Sequence, residues 1–108
     1  MSTVAMPDLA VVSSPWTLGP LTLRNRVVMG SMHTGLEVHD DGGAGMAAFY
    51  RERATGGAAL IVTGGIAVSD EARGGPDFAV FGVDGADDRF RVAVDAVHDA
   101  GGAVLAQL

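Results

Sequence analysis

The sequence predicts an α/β fold built on parallel strands, and three observations carry that expectation. The run "AALIVT" (58–63) is continuously apolar, as in strands covered on both faces, where a sheet with one wet face would alternate. Two segments with apolar residues at helical spacing, one before that run and one after it, each end in a Gly-Gly pair. Short apolar runs flank them, so the order strand, helix, strand, helix, strand returns the chain each time to the same end of one sheet.

Residues 1–15 are expected to be a flexible N-terminal lead-in. In "WTLGPLTLRNR" two short extended pieces fold about Gly19-Pro20, a turn dipeptide, which predicts a small hairpin. The run "RVVMG" (Arg26 to Gly30) reads as a short strand, and the Gly- and Asp-rich stretch from there to Gly45, which has no period, as a loop. In "AGMAAFYRERATGG", Met46, Phe49 and Tyr50 fall at i, i+3 and i+4 while Arg51 and Glu52 face water, so a helix is expected there. Gly56-Gly57 offers its left-handed stop, and the second strand then runs from Ala58 to Thr63. From Ile66 to Ala86 the chain is too long and too broken for a tight connection, which predicts an excursion over the strand ends. Asp87 and Asp88 suit the positive N-terminus of a second helix. Its apolar stripe is Phe90, Ala93, Val94, Val97 and Ala100, Gly101-Gly102 stops it, and "AVLAQL" is the third strand. Three parallel strands with two helices would leave apolar edges bare, so the chain is expected to be a piece of a larger protein.

Composition narrows the function. The 108 residues are 48% hydrophobic, ample for a core, and the net charge is −6. Seven arginines and no lysine face thirteen carboxylates, so no basic track for a phosphate backbone is expected and nucleic acid is excluded as a partner. The absence of cysteine excludes disulfides, iron–sulfur ligation and a thiol nucleophile within these residues. No secretory leader and no run of about 18 apolar residues is present, so a soluble, cytoplasmic protein without a membrane partner is expected. The sixteen glycines, scattered between apolar runs, read as turns between ordered elements.

In parallel α/β folds ligands bind at the carboxyl ends of the strands, and the unusual residues gather there. The first strand ends in Gly30, Ser31, Met32, His33 and Thr34, the second in Thr63, Gly64 and Gly65, the third in Gln107. Glycine admits a planar ring to the backbone, while Ser, Thr, His and Gln supply polar edges, a set that suits a flat heterocycle such as a flavin. The same glycines also read as plain turns, and His33 equally as a structural histidine. His39 with Asp40 and Asp41 lacks the spacing that gathers metal ligands and reads as solvated loop, so no metal site is expected. His98 reads as surface, and Met46 and Tyr50 as core. No G-x-G-x-x-G follows a strand, and no Walker lysine or G-x-S-x-G elbow occurs, which removes dinucleotide, P-loop and hydrolase readings.

The segments "LGPLTLRNRVVMGSMHTGLE", "AAFYRERATGGAALIVTGGIA" and "AVHDAGGAVLAQL" resemble the N-terminal part of the old yellow enzyme family, nearest its NADPH-dependent 2,4-dienoyl-CoA reductase branch. The resemblance runs from Trp16 to Leu108 and is unspecific only from Val68 to Ala86. It implies that residues 16–108 are the N-terminal portion of an FMN-binding TIM (β/α)₈ barrel, a hairpin plus about three β/α units, ending at strand three. It implies FMN contacts at Ser31, Met32, His33, Gly65 and Gln107, the first three against the isoalloxazine ring and Gln107 at its pyrimidine edge. His33 stands where the yellow-enzyme branch has Thr or Cys, and histidine there fits the dienoyl-CoA reductase branch.

The activity so implied passes hydride from NAD(P)H through the flavin to an activated alkene, such as a 2,4-dienoyl-CoA or another small enoyl substrate. The resemblance puts no catalytic residue within the 108. The proton-donating tyrosine, the carbonyl-binding histidine, the phosphate clamp and any ligands for an iron–sulfur cluster or FAD would follow Leu108. Two other readings fit the residues: a self-contained, non-catalytic βαβαβ binding module, and a trimethylamine-dehydrogenase-like enzyme of the same superfamily.

Overall fold

The computed structural model describes residues 8–108, so the first seven residues of the expected lead-in lie outside the described residues. Residues 8–15 form a turn, closed by Ser13 N–H donating to Leu9 O at 2.9 Å and tied to the next segment by Arg26 N–H donating to Val12 O at 2.9 Å. The hairpin follows as β1 (Trp16–Leu18) and β2 (Leu21–Leu23), antiparallel about Gly19-Pro20.

A three-stranded parallel sheet is built from β3 (Val28–Met29), β4 (Leu60–Val62) and β5 (Ala103–Leu105), with β4 in the middle. The expected strand over 26–30 shortens to two residues because Asn25 Oδ1 takes the Val27 N–H at 2.8 Å, removing that donor from the ladder. The Val27 carbonyl still accepts from Ala59 N–H at 3.0 Å. Likewise the second and third strands are shorter than the apolar runs, whose ends turn from ladder pairing into the loops described below.

Helix α1 (Ala44–Thr55) and helix α2 (Ala86–Asp99) pack against each other and against one face of the sheet. Met46 and Tyr50 are buried as the helical spacing predicts, with Ala47 and Ala54 beside them. On α2 the buried stripe is Ala86, Ala93, Ala96 and Val97, with Phe90 and Ala100 packed at its margin. Ile61 of β4 points into this layer with no exposed surface, a burial that contributes about 1.5–3 kcal/mol. The other face is covered at one end only, where Leu23 and Leu18 of the hairpin pack on Leu60, Ala59 and Ala103. Farther along that face Val28 and Leu105 remain 44% and 45% exposed.

The helix stops correct one expectation in detail. Gly56 keeps a right-handed conformation (φ −72°), and it is Gly57 that carries the positive φ of 120°. The start of α1 is fixed by Asp41, whose Oδ1 accepts from Gly43 N–H at 3.0 Å and Oδ2 from Gly45 N–H at 2.9 Å. These N–H bonds, led by the Gly45 one, hold the Asp41 carboxyl below its ordinary value. Among the described residues no helix is long and apolar enough to cross a membrane.

Candidate functional site at the strand tips

All three strands run the same way, so their carboxyl ends meet at one end of the sheet, and Thr63 joins them. Its carbonyl accepts from Ser31 Oγ at 2.8 Å, its N–H donates to Leu105 O at 2.9 Å, and its Oγ1 accepts from Gln107 N–H at 3.2 Å. Gln107 O then accepts from Ile66 N–H at 2.9 Å. Thr63 is itself buried, and at the end of the central strand its backbone carbonyl holds the Ser31 tip while its hydroxyl holds the Gln107 tip. Of the five residues the resemblance marks, Ser31, Met32, His33 and Gln107 present exposed side chains at this end and Gly65 is half-buried.

Two of the strand-tip glycines leave their backbones open. A Cβ added at Gly30 or at Gly65 would meet nothing within 4 Å, so open space lies over both backbones. Because Ser31 gives its proton to Thr63 O, its oxygen faces any ligand as an acceptor. Gly64 is different in kind: a Cβ there would lie 2.7 Å from Met32 O and 2.9 Å from Glu37 Oε1, so this glycine is a close-contact position rather than a turn.

Beneath the tips lies a carboxylate that the sequence reading passed over. Glu37, in the short 3₁₀ turn Leu36–Val38, has no exposed surface. Its Oε1 accepts from Thr34 Oγ1 at 2.8 Å and Thr34 N–H at 3.3 Å, and Thr34 Oγ1 accepts from Leu36 N–H at 3.1 Å. Its Oε2 has no hydrogen-bond partner among the described residues. The signal was in the sequence: "TGLE" has the T-x-x-E spacing of a capping box.

Tyr50, correctly expected in the core, also reaches the site, its hydroxyl accepting from Gly64 N–H at 3.3 Å. Burial raises its phenol above the ordinary 10.0, the Gly64 N–H pulls the other way, and the charge on Glu37 raises it further. The excursion 66–86 does cross the strand ends, anchored by a parallel bridge between Ala67 and Val80, and lays the Phe78 ring flat on the His33 imidazole. Nothing in the sequence singled out Phe78, an isolated aromatic in a Gly- and Pro-rich segment. His39 and His98 are exposed and take no part in this arrangement.

A parallel sheet backed by helices on one face, with polar and glycine residues converging at its carboxyl end, defines a portion of a ligand-binding β/α barrel. The chain belongs to the NADH:flavin oxidoreductase / NADH oxidase family, whose model matches residues 12–108. A curated relative, a metal reductase of Desulforamulus reducens, is 38% identical over an alignment of 104 residues that covers 93% of this chain and 15% of that protein. Among solved structures, morphinone reductase in complex with tetrahydroNAD is 30% identical with a TM-score of 0.80, over 90% of this chain and 26% of that one. A variant of NCR from Zymomonas mobilis is 31% identical with a TM-score of 0.78, over 95% and 32%. The old yellow enzyme from Trypanosoma cruzi is 31% identical with a TM-score of 0.76, over 91% and 26%. The fold is therefore that of the N-terminal part of the old yellow enzyme barrel, and the chain spans less than a third of each of these relatives.

Proposed function

We propose that this chain is the opening part of an FMN-dependent oxidoreductase that takes hydride from NAD(P)H and delivers it to an activated alkene, a 2,4-dienoyl-CoA or another small enoyl compound. The observation that carries the reading is the Thr63 junction, which holds the Ser31 and Gln107 tips at one end of the sheet beside the open backbone of Gly65. Family membership supports the flavin and the nicotinamide. The histidine at position 33 favours the dienoyl-CoA reductase branch, with FAD and an iron–sulfur cluster supplied by regions outside these residues, and a cytoplasmic location belongs to the same reading.

In this reading Ser31, Met32, His33, Gly65 and Gln107 hold the isoalloxazine ring. Gly65 leaves room for the ring, Met32 packs on it, and the Gln107 carboxamide both donates and accepts at its pyrimidine edge. Bound there, the flavin supplies two-electron hydride chemistry, and the protein tunes it through hydrogen bonds to its edge. A second reading, favoured by the name of the 38% identical relative, keeps the same flavin site but gives its electrons to a metal ion as substrate.

The test uses the full-length protein. NADH or NADPH should bleach bound FMN under anaerobic conditions, and an enoyl-CoA should restore the colour; restoration by a ferric or other oxidised metal salt and not by any enoyl compound would select the second reading. Replacing His33 by Ala should leave yellow flavin bound and shift its midpoint potential by on the order of 20 mV, one hydrogen bond of about 1 kcal/mol on a two-electron couple. Full-length protein that neither purifies with FMN nor takes it up would refute both.

A further inference from the structure

The geometry points to Phe78 as a positioning residue for His33, fixing the plane in which the imidazole is presented at the strand tips; this rests on the flavin-edge reading of His33 above. The two rings lie 3.9 Å apart between centroids and 10° from parallel. The torsion that spins a histidine ring about its own axis is broad and roughly two-fold, so an exposed imidazole without a neighbour takes no single orientation. A flat ring in face contact holds the imidazole to one plane, because turning it out of that plane would drive its edge into the phenyl face.

The phenyl ring is itself held by its own loop. A Cβ on Gly74 would lie 3.2 Å from Phe78 Cζ, and one on Gly75 3.6 Å from Cδ2, so the bare backbone of these adjacent glycines lies against the ring. Phe78 N–H donates to Gly75 O at 3.2 Å, and the chain just beyond is pinned by Ala67 N–H on Ala79 O at 2.9 Å and Phe81 N–H on Ala67 O at 2.8 Å. Phe78 also walls two cavities, one of about 240 Å³ that reaches Gly65 and one of about 400 Å³ that reaches Arg73 and Arg89. The segment 66–86 thus brings an aromatic plate to the one strand-tip residue that carries an imidazole. Leucine at 78 would fill similar space without a plane, whereas tyrosine would keep the plane.

The experiment has two readouts on the full-length protein. In the flavin-free form with labelled histidine, the His33 ring C–H resonance, identified by its loss in His33→Asn, should sit upfield under the Phe78 ring current. It should move downfield in Phe78→Leu and stay upfield in Phe78→Tyr. In the flavin-loaded form, Phe78→Leu should move the midpoint potential in the same direction as His33→Ala, Phe78→Tyr should leave it unchanged, and the double variant should match His33→Ala alone. A potential that responds to His33→Ala but not to Phe78→Leu, or a double variant equal to the sum of the two, would overturn the positioning role. A potential unmoved by His33→Ala, with the upfield shift still lost in Phe78→Leu, would instead overturn the flavin-edge reading while the stack itself stands.

Discussion

Gly64 sits where three things converge: the Met32 carbonyl, the Glu37 carboxylate and the Tyr50 hydroxyl. Replacing it by alanine puts a methyl 2.7 Å from a backbone oxygen, so the chain around it must shift. Gly64→Ala in the full-length protein should therefore cost about 1–3 kcal/mol in a denaturant titration, and a loss within error would show that the Met32 tip yields freely. Tyr50 makes a second residue-scale prediction. Its folded pKa is raised above the ordinary 10.0, so its contribution to stability is complete below pH 10.0 and is lost as pH climbs through the raised value. Tyr50→Phe should cost about 1 kcal/mol at neutral pH, through the unpaired Gly64 N–H, and should flatten the alkaline end of the stability profile. Parallel alkaline limbs in the two proteins would contradict it. Legibility at this scale was uneven. Ser31, His33 and Gln107 stood out because polar residues at strand ends break an apolar pattern. Thr63 was legible only as the polar end of the second strand and Phe78 only as spacer, because their roles depend on partners 32 and 45 positions away in the chain.

At the scale of elements, each helix could be read from its stripe and its Gly-Gly stop, but not what joins the two stops to the sheet. That is done by Arg24, whose Nη1 donates to Ala100 O at 2.9 Å and whose Nη2 donates to Ala58 O at 3.0 Å and to Ala54 O. One planar guanidinium thereby meets the last carbonyls of both helices, where the helix dipoles favour a positive charge. Asn25 adds a bond from Nδ2 to Gly57 O at 2.7 Å. Arg24→Met should destabilise the full-length protein by about 1.5–3 kcal/mol, and Arg24→Lys should recover only part of that, since an ammonium cannot fork between two helix ends. Full recovery by lysine would show that charge alone matters. The shortening of β3 belongs to this scale as well. An apolar run marks where a strand can lie, while the neighbouring side chains, here Asn25, decide where its ladder begins.

For the molecule as a whole, the sequence by itself determined the order of elements, the parallel sense of the strands and the end of the sheet where polar residues collect. Those features follow from local periodicity and from the return of each helix to the sheet, which a linear pattern records faithfully. Only the tertiary structure decided that Thr63 ties three tips together, that Glu37 lies buried beneath them and that Phe78 covers His33. It also decided that Gly64 is a point of contact and not a turn. The physical reason is the same in each case. Burial, stacking and close approach are properties of pairs brought together across loops, and a residue type carries no mark of a neighbour it meets only once the chain has closed.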